Sequence, residues 1–409
     1  MTEPAQQQPE EGPLPRTKKA VDWWLNQWGR QDVVADQQPL TEEDVERLIE
    51  VNGGAAKGLN LSFRNLEGIF LSDASLQGAN FVGANLKYAQ LVGADFKDAD
   101  LSEINLAEAD LREANLEGVS LLTSNLYQAN LEGANLKGAA LGDSCLYGAN
   151  LENSNLCGAF LPNTDIRSAH LEYAEISGAN LDKADLQDSV LYMANLHGAN
   201  LGRTNLCGAN LLGSDLRGTD LWHVQFSQDT NLEEVNWGPD CQIDLERKGL
   251  NVELAASTYR ALKLWYINRG IHDVAGKFHY REWECKRKLA QQEKTWGETV
   301  LLWLYRLVGG YGEFPGRVIG VGAAVIAMFA AWYFPYSGLP CFQGGCWAGL
   351  WEGIWQSLYF SGVSFTALGY GFSETIPDGW TRYLGVVESL VGISLIALFL
   401  VTFTRKMTR

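Results

Sequence analysis

The sequence predicts a multidomain chain: a square β-solenoid, then a helical linker hairpin, then an all-α membrane part with two spanning helices. Three observations predict it. A large apolar residue recurs at every fifth position from Leu61 to Phe226, 34 times without a break. Residues 251–294 change to apolar spacings of three and four, the helical period. Beyond residue 299 lie two apolar stretches long enough to cross a bilayer core, which takes ~20 residues, with a glycine-rich segment between them.

The ends of the chain differ in kind. Residues 1–20 are polar and lack an apolar run, so no signal peptide is expected and the segment reads as a disordered tail. Seven scattered cysteines in 409 residues do not form a secreted disulfide framework. Residues 21–55 are expected to form a helical N-terminal cap. TEEDVERLIEVNGG has Thr41 as N-cap, Asp44 three residues on and Gly53-Gly54 as the stop, with Trp23, Trp24 and Trp28 available to pack beside it.

Residues 56–240 carry the repeat. Each of the 34 positions in phase with Leu61 is Leu, Ile or Phe, and the residue two before it is mostly Ala, Ser, Thr or Val. Neither a helix nor a simple strand has a period of five, so the pattern is that of a solenoid. One large and one small residue per unit can both point inward if the chain turns a corner in each unit, and four corners close a coil. Stacked coils then pair backbone to backbone at ~4.8 Å, so about eight of them make a rod roughly 40 Å long. The pattern resembles the pentapeptide-repeat family over about residues 56–237, which implies a right-handed quadrilateral β-helix. Leu59, Arg64, Ile69 and Ile104 depart from the small-residue rule, three of them at the start, where the cap is expected.

The same segment holds 25 Asp/Glu against 10 Lys/Arg, most of the chain's net charge of −17. Some members of the family present an acidic rod that resembles DNA. Beside a membrane part, the favoured reading is a solvated surface that keeps a tall rod soluble, so a nucleic-acid partner is not expected.

In the linker, Leu254, Tyr259, Leu262, Trp265 and Tyr266 mark one helix, and Val274, Phe278 and Trp283 mark a second after Arg269-Gly270. Arg281, Lys286, Arg287, Lys288 and Lys294 on the second helix suit either anionic headgroups or plain solvation. His279, Glu282 and Cys285 share a face but lack a fourth ligand or paired-cysteine spacing, so no metal site is expected.

Residues 296–309 are too short to span and carry Trp296, Trp303, Tyr305 and Arg306, the composition of an interfacial helix. The spans are expected at 316–335 and 384–404. Gly-Tyr-Gly occurs twice, at 310–312 and 369–371. A selectivity filter must lie between two spans, because its carbonyls replace ion hydration inside the membrane. The first copy precedes both spans and stands beside Glu313, so it reads as a turn. The second follows an apolar helix-length segment and lies between the spans.

This order resembles the two-transmembrane potassium-channel pore family over about residues 296–409. The resemblance implies a re-entrant pore helix and filter at 349–372, with Thr366, Ala367, Leu368, Gly369, Tyr370 and Gly371 as the filter segment. It implies Tyr359 and Phe360 as an aromatic cuff, Gly392 as the inner-helix hinge or gate, and a homotetramer around permeant potassium or another monovalent cation, with no other cofactor. Two departures stand out: the family's filter Thr is Ala367, and the Asp that usually follows is Phe372, so its brace behind the filter is lost. Glu388, a carboxylate inside the second span, is expected either to bond to the back of the filter or pore helix or to a neighbouring serine.

Arg306 and Arg317 precede the first span and Arg405, Lys406 and Arg409 follow the second, which places both termini in the cytoplasm. Cys341 and Cys346 then lie on the outer side, where a disulfide is expected. No nucleophile–base constellation, phosphate loop or metal spacing points to an enzyme. The expected function is a tetrameric, potassium-channel-like cation channel in the cell membrane, whose β-helix senses a cytoplasmic protein or a small-molecule ligand. The alternative is a membrane-tethered acidic β-helix scaffold or DNA-mimic interaction protein with a degenerate pore.

Overall fold

The computed structural model describes residues 39–239, 241, 252–334, 346–366 and 380–407. The tail at 1–20 and Trp23, Trp24 and Trp28 lie outside them. The chain divides into two compact units, Met1–Gly238 and Pro239–Arg409.

The first unit opens with α1, Glu42–Val51, a strongly two-faced helix. The Thr41 hydroxyl accepts from the Asp44 N–H while the Asp44 carboxylate accepts from the Thr41 N–H, so each satisfies a donor that the helix start leaves unpaired. Gly53 and Gly54 then take φ of 88° and 80° and end the helix. Val45 is fully buried, and the Leu40 N–H donates to the Asn65 carbonyl at 2.9 Å, which ties this segment to the first coil.

The repeat closes a coil every twenty residues. Parallel bridges run Asn60 to Asn80, Asn65 to Asn85 and onward in steps of five, so four units make one turn. From Leu61 to Leu206, the N–H of each large residue donates to a carbonyl nineteen residues on, as Leu146 does to Asp165 at 2.7 Å. The units form isolated bridges rather than strands, because every one turns a corner after two or three residues. After Phe226 the register slips by one: Asn210 pairs with Asn231 and Asp215 with Asn236.

Three devices reconcile this geometry with its residues. The large residues from Leu61 to Leu221 fill the axis and are buried along its length. Where the small position is Ser or Thr, Ser214 excepted, the hydroxyl returns its hydrogen to a main-chain carbonyl, as Ser124 does to Leu101 at 2.8 Å and Thr164 to Leu141 at 2.9 Å. From Phe63 to His223, the corner residue two after each large one takes the left-handed conformation, met by Gly68 or Gly78 but also by Asp98, Glu103 and Glu113. Each such non-glycine costs about 1 kcal/mol, which the stacked hydrogen bonds offset. Leu59, Ile69 and Ile104 are buried in spite of their size, whereas Arg64 is exposed.

The second unit is helical. α2 (Val252–Asn268) and α3 (His272–Gln292) pack through Tyr259, Tyr266 and Phe278, the last two stacked at 5.7 Å. Gly270, at φ 76°, makes the turn between them. α4 (Trp296–Gly309) leads into a 3₁₀ turn at Gly310–Gly312, then α5 (Pro315–Tyr333), α6 (Cys346–Phe365) and α7 (Trp380–Met407). Val318 of α5, Phe365 of α6 and Leu395 of α7 form a small shared core that Val308 of α4 joins. Among the described residues, Pro315–Tyr333 and Tyr383–Thr404 are the two helices long and apolar enough to cross a membrane.

Candidate pore site

The segment between the two long helices sets the geometry. α6 packs against both, and its last turn, ending at Phe365, leads through Thr366 into the glycine-rich stretch. Ala367, Leu368, Gly369, Tyr370 and Gly371, and likewise Phe372, lie outside the described residues. So does Cys341, and Cys346 begins α6.

Polar side chains anchor α6 inside this apolar setting. Ser361 sits on its inner face, within hydrogen-bond distance of the Glu388 carboxylate on α7 and 2.9 Å from the Ile326 carbonyl on α5. The Tyr333 hydroxyl donates to the other Glu388 oxygen at 2.9 Å. A buried carboxylate is costly unless its lone pairs are used, and here two hydroxyls from two helices meet it. The partner of Glu388 is a serine and lies on the helix before the glycine-rich stretch, so the contact fits both expectations for this residue. One residue on, Ser389 donates to the Ser364 carbonyl at 2.6 Å, a group that the end of α6 leaves without a helical partner.

The remaining expected residues fall nearby. Phe360 sets its ring edge-on to Tyr333 at 4.8 Å, whereas Tyr359 is exposed. Thr366 turns its hydroxyl back to the Gly362 carbonyl at 3.0 Å. Gly392 lies directly under the Phe365 carbonyl, and a methyl group there would overlap it. Close approach of two helices is therefore one physical reason for glycine at this position.

The first Gly-Tyr-Gly is a tight turn, with Tyr311 left-handed at φ 58° and fully buried. Trp283 stacks on it, and Tyr280 and Tyr305 enclose it at 5.4 and 5.7 Å. A His279 ring nitrogen lies 3.2 Å from its carbonyl. Burial, reinforced by the Glu284 carboxylate, pushes its hydroxyl well above the usual tyrosine range. Glu284 also pairs with Arg306 of α4 at 2.9 Å and Arg287 at 3.1 Å.

The residues weighed as metal ligands are engaged elsewhere. Glu282 is buried and binds Lys263 at 2.6 Å, Lys286 at 2.7 Å and Arg260 at 3.2 Å. Burial alone would raise its carboxyl, but the bonds from Lys263 and Lys286 outweigh that and hold it at about 2. No group able to hold a metal ion occurs among the described residues. The sequence reading missed Tyr333, Ser361 and Ser389. Hydroxyls placed within apolar helices were the available signal, since each must find a partner.

Comparison with known proteins falls into the same two parts. The Pentapeptide repeats family matches in segments from residue 57 to 228, and the Ion channel family matches residues 318–409. No curated protein matches the chain. Among solved structures, HetL, a pentapeptide-repeat protein involved in heterocyst differentiation regulation in the cyanobacterium Nostoc sp. strain PCC 7120, is 30% identical. That likeness covers 49% of this chain and 95% of HetL, with a TM-score of 0.22. A pentapeptide-repeat protein of the Arabidopsis thaliana thylakoid lumen is 34% identical, covering 26% of this chain and 72% of its own, with a TM-score of 0.24. QnrB1, a plasmid-mediated fluoroquinolone resistance protein, is 20% identical over 47% of this chain and 91% of its own, with a TM-score of 0.24.

Proposed function

Because the chain is a pentapeptide-repeat protein over residues 57–228 that also carries an ion-channel domain over residues 318–409, we propose that it is a cation channel of four identical subunits, potassium its expected ion. Residues 366–371 of each subunit supply the filter, whose carbonyl rings replace the water that an entering ion sheds. α5 and α7 are its outer and inner spanning helices, and α6 is the pore helix between them. The observation that carries this reading is the seating of α6: it packs on both spans, is held by Glu388 and Ser389, and ends where the glycine-rich stretch begins. Its carbonyl end carries a partial negative charge, which favours a cation beyond it.

α4 fits the role of a helix lying in the membrane surface. Trp296, Leu301, Trp303 and Leu307 are exposed, while Arg306 pairs with Glu284 on its other side. Both termini are assigned to the cytoplasm, where the repeat domain binds a protein or small-molecule ligand and the hairpin passes the signal to the pore.

The test is the reversal potential across a bilayer holding the purified protein, with potassium on one side and sodium on the other. A shift towards the potassium equilibrium value is expected. Current that reverses near zero would make the pore non-selective, and absence of current together with a monomer or dimer in detergent would overturn the channel reading. Deleting residues 1–250 is expected to change open probability and leave the reversal potential where it was.

A further inference from the structure

One helical turn of α7 meets the last turn of α6 at three points. Glu388 takes the Ser361 hydroxyl, Ser389 donates to the Ser364 carbonyl at 2.6 Å, and Gly392 admits the Phe365 carbonyl where any side chain would collide with it. The three contacts follow the path of α6 towards Thr366, so they fix successive residues and not one spot. Tyr333 adds a tie from α5 to the same carboxylate at 2.9 Å, and the Ile326 carbonyl on α5 lies 2.9 Å from the Ser361 oxygen as the other acceptor within reach of its one hydrogen. The side chains of Glu388, Ser361, Ser364 and Ser389 are all buried, so water does not compete for these bonds.

From this we infer that Glu388, Ser389 and Gly392 are positioning residues for the filter, which they set by fixing where the end of α6 delivers Thr366. None of them touches the ion. The assignment rests on the channel reading. Its physical basis is that discrimination by backbone carbonyls depends on where they are held, and residues 362–366 are the scaffold on which the following segment starts.

The test uses the full chain in lipid, comparing wild type with Ser389→Ala, Ser389→Thr, Gly392→Ala and Glu388→Gln. The first readout is hydrogen exchange of the α6 amides up to Thr366, whose N–H bonds to the Gly362 carbonyl at 3.2 Å. Ser389→Ala and Gly392→Ala are expected to speed exchange there about tenfold and leave residues 252–292 unchanged. Ser389→Thr, which keeps the hydroxyl, is expected to stay near wild type. The second readout is the potassium-to-sodium permeability ratio, expected to fall severalfold in the same two variants. Glu388→Gln, which loses charge but keeps a carbonyl acceptor, is expected to lie between wild type and Ser389→Ala in both readouts.

Unchanged exchange in Ser389→Ala and Gly392→Ala overturns the assignment. So does faster exchange with an unaltered permeability ratio in variants that conduct, because the contacts would then be structural only. A wild-type protein that passes no ions and is a monomer or dimer in detergent overturns the channel reading, whereas either failure above in a protein that conducts overturns this assignment alone.

Discussion

Trp283 of α3 stacks on Tyr311 with ring centroids 6.2 Å apart and planes 18° from parallel, joining the linker hairpin to the turn that begins the first long helix. On the far side of that turn, Gly309 faces Val318 of α5 and Leu398 and Thr402 near the end of α7. A displacement of α3 is therefore felt at both apolar helices through one buried aromatic group.

That contact can be tested by stripping the ring in two steps. Tyr311→Ala is expected to cost about 3–5 kcal/mol, the range for truncating a buried aromatic residue. Tyr311→Phe is expected to cost much less, about 1–2 kcal/mol, because it keeps the ring and loses only the hydroxyl that faces the Glu284 carboxylate. Thermal unfolding of the two variants checks the ordering.

The linker hairpin should also respond to acid. Glu282 titrates at about 2, below its ordinary 4.5. A depressed carboxyl contributes stability that is present above the unfolded value and is lost as the pH falls through the folded one. The hairpin is thus expected to weaken between pH 4.5 and about 2. Glu282→Gln should remove that dependence and cost about 2–3 kcal/mol at neutral pH, since it takes a charged partner from the half-buried Lys263. Urea unfolding across this pH range, followed by tryptophan fluorescence, reads both effects.

In the coil, the asparagine ladders have a direction. Asn105 donates to Asn85 at 2.9 Å and accepts from Asn125 at 3.0 Å, each amide giving to the coil before it. An acidic residue can only accept, which is why Asp95 sits at the receiving end below Asn115. Asn105→Ala is expected to lower stability by about 2–3 kcal/mol. Asn105→Asp should cost at least as much, because it sets a carboxylate against the Asn85 oxygen. The comparison of melting temperatures decides it.

At the filter, Ala367→Thr is expected to raise the potassium-to-sodium permeability ratio. A hydroxyl ligand that adds about 1 kcal/mol of discrimination gives about a fivefold change. Reversal potentials under mixed ions measure it directly. An unchanged ratio would mean that the backbone carbonyls alone set the preference.

How much of this could be read from the residues differs between the units. The coil was legible because each unit carries its own instruction: Leu146 or Leu151 needs only its phase to declare which way it faces. The slip after Phe226 is local, a single extra residue, and periodicity alone does not say how the bridges absorb it. The capping box of Thr41 and Asp44 was legible for the same reason as the coil, since both partners lie within one turn. The surroundings of Tyr311 were not, because His279 stands 32 residues away and is brought there by the fold of the hairpin. Glu388 was visible as a costly group in an apolar span, but its partners depended on how three helices pack. Cys341 and residues 367–372 remain expectations of sequence alone.

The twenty-residue turn of the coil makes length a counted quantity. A duplication of one full turn would lengthen the unit by ~4.8 Å and leave every ladder, corner and axis contact in its old relation. An insertion that is not a multiple of five would throw all later corners out of phase, and one of five, ten or fifteen residues would keep the corners but move every later ladder to another face, unless it fell where few turns follow. The one extra residue after Phe226 falls in such a place, with bridges continuing only to Asn236. Variation in the height of this unit is therefore expected in whole turns, like storeys added to a building, and irregularity is confined to its last floor.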